Sequence, residues 1–133
     1  MDFDVAVIGG GPAGYASAST AQSLGARVAI VDPGPLGGLC ILRGCMPTKT
    51  ILRSSDIIAL MRRAEEFGIQ PVDPHASLSA INDRKNKLIQ EFTDYRIQQL
   101  QDSRFTLIQE RAKFISPHEI RIGDQTLKAK SFI

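Results

Sequence analysis

No apolar run in this chain approaches the ~20 residues that a membrane-spanning helix needs, so no span is expected. Nor is there an excess of charge of one sign. The 16 basic and 14 acidic residues leave a net charge of +2, which gives no reason to expect a nucleic-acid or anionic-membrane partner. No basic segment precedes Asp2-Phe3-Asp4, which runs straight into a strand pattern, so no signal peptide is expected and the setting is read as cytoplasmic. Internal repeats and low-complexity segments are absent. Cysteine is scarce, with Cys40 and Cys45 only. In the cytosol structural disulfides are rare, and a close cysteine pair more often serves catalysis or metal binding.

What is present is an ordinary globular composition, 43% apolar and 23% charged. The 133 residues make one domain, or part of one, large enough to bury a core. The chain stops within an apolar strand-like run, Lys130-Ser131-Phe132-Ile133, which we read as a slice of a longer protein.

The first third is a complete βαβ unit. Residues 3–8 form a β-branched run suited to a buried parallel strand. Gly9-Gly10-Gly11-Pro12-Ala13-Gly14 follows and fits G-x-G-x-x-G. A small-residue helix then runs to Gly25, a C-terminal stop, and residues 26–32 read as a second strand ending in Asp32. Gly9 permits the tight turn off the strand. Gly11 leaves room for the backbone to approach a pyrophosphate, and Gly14 lets helix and strand pack closely. Helix N–H groups and the positive dipole end favour phosphate. Asp32 lies at the spacing expected for an acid that accepts a ribose hydroxyl. This predicts a dinucleotide site without separating NAD from FAD.

Helical patterns occupy Pro47 to about Phe67, with Ile57, Leu60, Met61 and Ala64 on one face, and Ala76 to about Gln101, with Ile81, Leu88, Phe92 and Tyr95 on one face. Gly68 suits the end of the first helix. Short strand signals at 105–108, 112–115, 119–122 and 127–133 predict a small antiparallel sheet.

Cys40 and Cys45 cannot bridge across a regular helix. Five residues rise about 7.5 Å and turn about 140°, whereas a disulfide needs Cα atoms within about 7 Å. Gly44 supplies the freedom for a turn. Pro47 lacks an amide to bond the carbonyl of Arg43 and biases Met46 away from helical angles. Cys45 is therefore expected at or just before a helix N-terminus, where the dipole, Lys49 one turn on and Arg43 nearby favour a thiolate. A dithiol/disulfide redox pair is one reading. Two unremarkable reduced cysteines, or a metal site completed by His75 or His118, are the others.

A βαβ dinucleotide fingerprint followed by Gly37-Gly38-x-Cys40-x-x-x-x-Cys45-x-Pro47-x-Lys49 resembles the pyridine nucleotide-disulfide oxidoreductases, which include dihydrolipoamide dehydrogenase, glutathione reductase and mercuric reductase. The match is close over residues 3–52 and looser beyond. It implies an α/β fold: a Rossmann-like FAD-binding βαβ unit with two long helices and a small antiparallel sheet. The cofactor is then FAD, held at Gly9, Gly11, Pro12, Ala13, Gly14 and Gly38, with Asp32 on the adenosine ribose and the backbone near Ala112 on the adenine. Cys40 becomes the interchange thiol. Cys45 lies against the flavin as the charge-transfer thiolate, and Lys49 reaches the flavin near its reactive nitrogen.

The resemblance further implies electron flow among NAD(P)H, FAD, the Cys40–Cys45 disulfide and an external disulfide. It implies a homodimer, and an NAD(P)-binding domain, the rest of the FAD domain and an interface domain with a His–Glu acid/base pair outside these residues. The chain alone is then not expected to turn over. Asp32 stands where the family most often has Glu, Leu39 where it has Thr and Leu42 where Asn is frequent, while Arg43 adds a charge beside the pair; the substrate stays open. The competing readings are a flavoprotein NAD(P)H dehydrogenase or oxidase with incidental cysteines, and a noncatalytic nucleotide-binding redox module.

Overall fold

A computed structural model describes residues 2–133. In chain order the elements are β1 (Phe3–Ile8), α1 (Pro12–Ser23), β2 (Val28–Val31), α2 (Gly38–Leu42), α3 (Cys45–Arg62), α4 (Leu78–Leu100), β3 (Thr106–Ile108), β4 (Ala112–Ser116), β5 (Glu119–Ile122) and β6 (Gln125–Phe132), with a 3₁₀ turn at Ala64–Phe67.

The βαβ unit forms as its pattern predicts. β2 is buried at every residue because helices cover one face of the sheet and strands the other. Val7, Val28 and Ile30 point to α1 and α4, where they meet Ala18, Leu100 and Phe105. Ala6, Ala29 and Val31 point the opposite way, onto Ile120, Ile122, Leu127 and Ala129. Alternate residues thus feed two separate cores, as the two-residue repeat of a strand requires.

The C-terminal strands β4, β5 and β6 form the expected small antiparallel sheet, but it is joined to the parallel one and β3 lies outside it. All six strands join in the order β3-β2-β1-β6-β5-β4. β3 runs parallel to β2, and β6 runs parallel to β1 through Ala129, Ser131 and Phe132. Only β4, β5 and β6 are antiparallel to their neighbours within the meander. The eight residues of β6 are the reason. Its first half pairs with β5 and its second half with β1, so the meander is carried over one face of the parallel strands.

The first long helix also differs. It begins at Cys45 rather than Pro47 and ends at Arg62. Met46 is helical despite the proline that follows it. Pro47 is the third helical residue, where the missing N–H would have had no acceptor in the helix. Gly68 ends the following 3₁₀ turn in the left-handed region, at φ +72°. No α3 residue is buried, and Ile57, Leu60 and Met61 of its apolar face are exposed. α4 starts at Leu78, two residues after the expected Ala76, with the Ser77 hydroxyl accepting from the Ala80 amide at 3.2 Å. Among the described residues no helix is long and apolar enough to cross a membrane.

Asp4 ties three strands at their common end. Its carboxylate accepts from the Arg27 amide at 2.8 Å and lies 2.7 Å from Lys130 Nζ. The Lys130 contact first, and the Arg27 amide second, lower the Asp4 pKa to about 2. A carboxylate whose folded pKa is depressed stabilises the fold above its unfolded value and loses that effect as pH falls through the folded one. The contribution should therefore fade between about pH 4 and pH 2. Circular dichroism titrations should show Asp4→Asn less stable than the parent at pH 6, with the difference vanishing by pH 2.

Candidate functional site

β1 delivers the glycine loop to the carboxyl end of the parallel strands. Gly9 has φ +110°, and its amide donates to the Val31 carbonyl at 2.8 Å. Only glycine takes that turn without strain. Gly11 caps α1, and Pro12 is the first helical residue, where proline's missing donor and preset φ fit. A Cβ on Gly14 would fall inside the Gly9 carbonyl oxygen. Helix and loop therefore meet backbone to backbone. The amides of Ala13 and Gly14 belong to the first helical turn and lack intrahelical acceptors, so they are available to an anion.

Gly38 opens α2 directly opposite. It has φ +73°, and a Cβ there would strike Gly11 Cα. Two helix starts face each other with no side chain between them. One belongs to the glycine loop and the other to the segment that carries the first cysteine. This cradle, bare of Cβ atoms and rich in free amides, can accept a dinucleotide pyrophosphate.

Asp32 does more than its spacing predicted. It is buried, its Oδ2 accepts from the Gly10 amide at 2.5 Å, and its Oδ1 accepts from the Gly34 amide at 2.7 Å. The carboxylate thus ties the glycine loop to the turn after β2, while still lining a cleft of about 260 Å³ with Gly34, Pro35, Gly38 and Leu39. The signal missed in the sequence is the side-chain length: Asp is short enough to be held by its own loop. Asp32→Ala leaves two amides without that acceptor and should cost about 1–3 kcal/mol, measured by urea unfolding.

Cys40 sits half-buried in α2, and Cys45 is the exposed first residue of α3. Both are free thiols. The helix breaks between them at Arg43 and Gly44, where a regular helix would have kept them apart. A Cβ on Gly44 would press the Leu39 carbonyl at 3.1 Å and the Cys40 Cα at 3.4 Å, so the bare glycine sets how closely α2 and α3 approach. The thiols meet there. Donation to the Cys45 sulfur first, and burial second, push the Cys40 thiol above its ordinary pKa. Lys49 lies one turn along α3 and acts weakly the other way on Cys40.

Ala112 opens β4, four residues beyond Ile108, whose carbonyl accepts the Asp32 amide at 3.0 Å. The short connection from β3 thus brings β4 to the Asp32 end of the sheet. His75 lies in the loop before α4 and His118 in the turn between β4 and β5. Among the described residues no three His, Cys, Asp or Glu side chains converge. One further contact escaped the sequence reading. The Arg96 guanidinium of α4 stacks 4.3 Å over the Tyr15 ring in α1, which packs edge-on against Phe105.

The family model described as pyridine nucleotide-disulphide oxidoreductase matches residues 3–133. A dihydrolipoyl dehydrogenase of Chlamydia muridarum is 34% identical, over 98% of this chain and 29% of the relative. A mercuric reductase of Lysinibacillus sphaericus is 33% identical, over 99% of this chain and 24% of the relative. Among solved structures, the Cu(II) complex of the HOCl-induced flavoprotein disulfide reductase RclA from Escherichia coli superposes with a TM-score of 0.77 at 25% identity, covering 97% of this chain and 26% of that one. The chain thus spans under a third of the length of these relatives. With the glycine cradle, the thiol pair and the match over nearly every residue, the chain belongs to the pyridine nucleotide-disulphide oxidoreductase family.

Proposed function

We propose that this chain is the FAD-cradling, dithiol-bearing part of a disulfide oxidoreductase, dihydrolipoamide dehydrogenase-like, that passes electrons between NAD(P)H, FAD and the Cys40–Cys45 pair and on to a disulfide substrate. The observation that carries this reading is the approach of Gly38 to Gly11, which packs the cysteine-bearing helix against the nucleotide loop. Cradle and thiols are one site.

Gly9, Gly11, Pro12, Ala13, Gly14 and Gly38 would hold the pyrophosphate, Asp32 the ribose, the Ala112 backbone the adenine and Lys49 the flavin end. FAD, when bound, supplies two-electron transfer between the nicotinamide and the thiols. The Cys45 side chain beside it, and then burial, push the Cys40 thiol above its ordinary pKa. We assign Cys40 as the interchange thiol and Cys45 as the thiol facing the flavin. NAD(P) binding, a homodimer and a cytoplasmic setting complete the proposal.

The purified protein should be yellow with bound FAD, and a long-wavelength absorbance band should appear on addition of two electrons per flavin. A protein that holds FAD but develops no such band would overturn the dithiol part of the reading. Turnover assays on the full-length protein with lipoamide, glutathione and Hg(II) then identify the acceptor.

A further inference from the structure

A second cleft lies on the other side of the α2 C-terminus from Asp32. It measures about 390 Å³ and is walled by the end of α2, the start of α3 and one face of α4. Leu42, Pro47 and Ile89 form its apolar part, and Arg43 and Lys85 line it from facing elements, Arg43 standing between this cleft and that of Asp32. No acidic side chain lines it. Neither cation has an ion pair or hydrogen bond among the described residues. Lys85 is half-buried as a residue. Cations that line a concave site with no acidic side chain beside them draw an anion into it.

The remaining polar groups agree. Asn86 and Gln90 line the cleft with amides that can donate to an anion. Gln90 Nε2 is held at 2.8 Å by Asp94 Oδ1, and Asp94 itself stays outside the lining. The walls are clamped, because Arg84 Nη1 donates to the Thr50 carbonyl at 3.2 Å and joins α4 to α3. Arg43 and Pro47 flank Cys45 by two residues on either side, so the cleft opens beside the thiol pair.

We propose that this cleft seats an anionic group, a carboxylate or a phosphate, carried by the disulfide that reacts with Cys40 and Cys45. The inference rests on the disulfide oxidoreductase reading. In the reaction Cys40 gives up its thiol proton as its sulfur attacks one substrate sulfur, the substrate S–S bond breaks, and the leaving thiolate takes up that proton. Cys45 then gives up its own proton as its sulfur attacks the Cys40 sulfur, and the second substrate thiolate, expelled, takes it up. Two electrons pass from the cysteine pair, which ends as a disulfide, to the substrate, which ends as two thiols. The cleft's cations would concentrate and orient the anionic arm of that substrate.

The test is single-turnover oxidation of the reduced, FAD-saturated protein by two aromatic disulfides, the dianionic 5,5′-dithiobis(2-nitrobenzoate) and the neutral 4,4′-dithiodipyridine. The ratio of their rates cancels any change in thiol reactivity common to both. That ratio should fall about 10-fold in the Arg43→Gln/Lys85→Gln variant, part-way in Lys85→Gln alone, and in the parent as salt rises. A ratio that neither substitution alters would overturn the site. Calorimetric titration of the Cys40→Ser/Cys45→Ser holoprotein with succinate and with inorganic phosphate separates the two sources and does not depend on thiol chemistry. One of them should bind, with about 10-fold loss in the charge variant. If that binding holds but neither disulfide oxidises the pair, the redox reading falls and the anion site stands.

Discussion

In the full-length protein, Cys45→Ser should abolish disulfide reduction while leaving FAD bound. A fall of roughly 1,000-fold or more is the scale seen when one member of a catalytic unit is removed. The separation of effects follows from geometry. The cradle is built from Gly9, Gly11, Gly14 and Gly38, and none of these contacts involves the Cys45 sulfur. Serine keeps the first turn of α3 intact, since the helix start depends on the Gly44 backbone and on the Thr48 hydroxyl donating to the Gly44 carbonyl at 2.9 Å. Cys40→Ser should be equally inactive. It should differ in the thiol that remains: Cys45 alone, without the neighbour that donates to it. Flavin content measured on the denatured supernatant, beside steady-state disulfide reduction, checks both variants. Retained turnover in Cys45→Ser would instead favour a flavoprotein whose cysteines are incidental.

Gly14→Ala should have the reverse signature, with cofactor lost and the fold weakened. The added methyl has no place to go, because it would overlap the Gly9 carbonyl and crowd Val7 Cγ1 at 3.2 Å. Helix α1 must move off β1. Overpacking of this kind costs about 3 kcal/mol, and the movement also spoils the amide cradle that Gly11, Ala13 and Gly14 form. Chemical denaturation of the apoprotein measures the first effect and FAD titration the second. Gly10→Ala is the informative control. Its methyl would meet the Leu100 side chain at 3.1 Å and Asp32 Oδ2 at 3.2 Å, a milder crowding by side-chain ends and not the backbone overlap at Gly14. It should be tolerated better than Gly14→Ala on both measures.

Much of this was legible along the chain. The spacing of Gly9, Gly11 and Gly14 after a β-branched run, and the alternation within β1 and β2, specify local structure over a few residues. Helix geometry alone keeps Cys40 and Cys45 from sharing one regular helix, and the break at Gly44 agrees with it. Pro47 misled as to the helix start because a proline is equally harmless at the first and third helical residues. The strand signals after residue 104 were sound, yet nothing in them distinguished a separate sheet from an extension of the first one. That choice rests on β6 finding β1 about 125 residues away in the chain, a contact seen again where the Lys128 amide donates to Asp2 Oδ2 at 3.1 Å.

The sequence by itself therefore determined the βαβ unit, the nucleotide fingerprint and the placement of a thiol pair at a helix start. These are properties of neighbours, set by backbone freedom and spacing. Tertiary structure alone decided that Asp32 secures the glycine loop, that Gly38 closes on Gly11, and that Arg43 and Lys85 face one cleft. Each of these joins residues 22 to 42 positions apart. Their meeting depends on how α2, α3 and α4 pack against the sheet, and no local pattern encodes that packing.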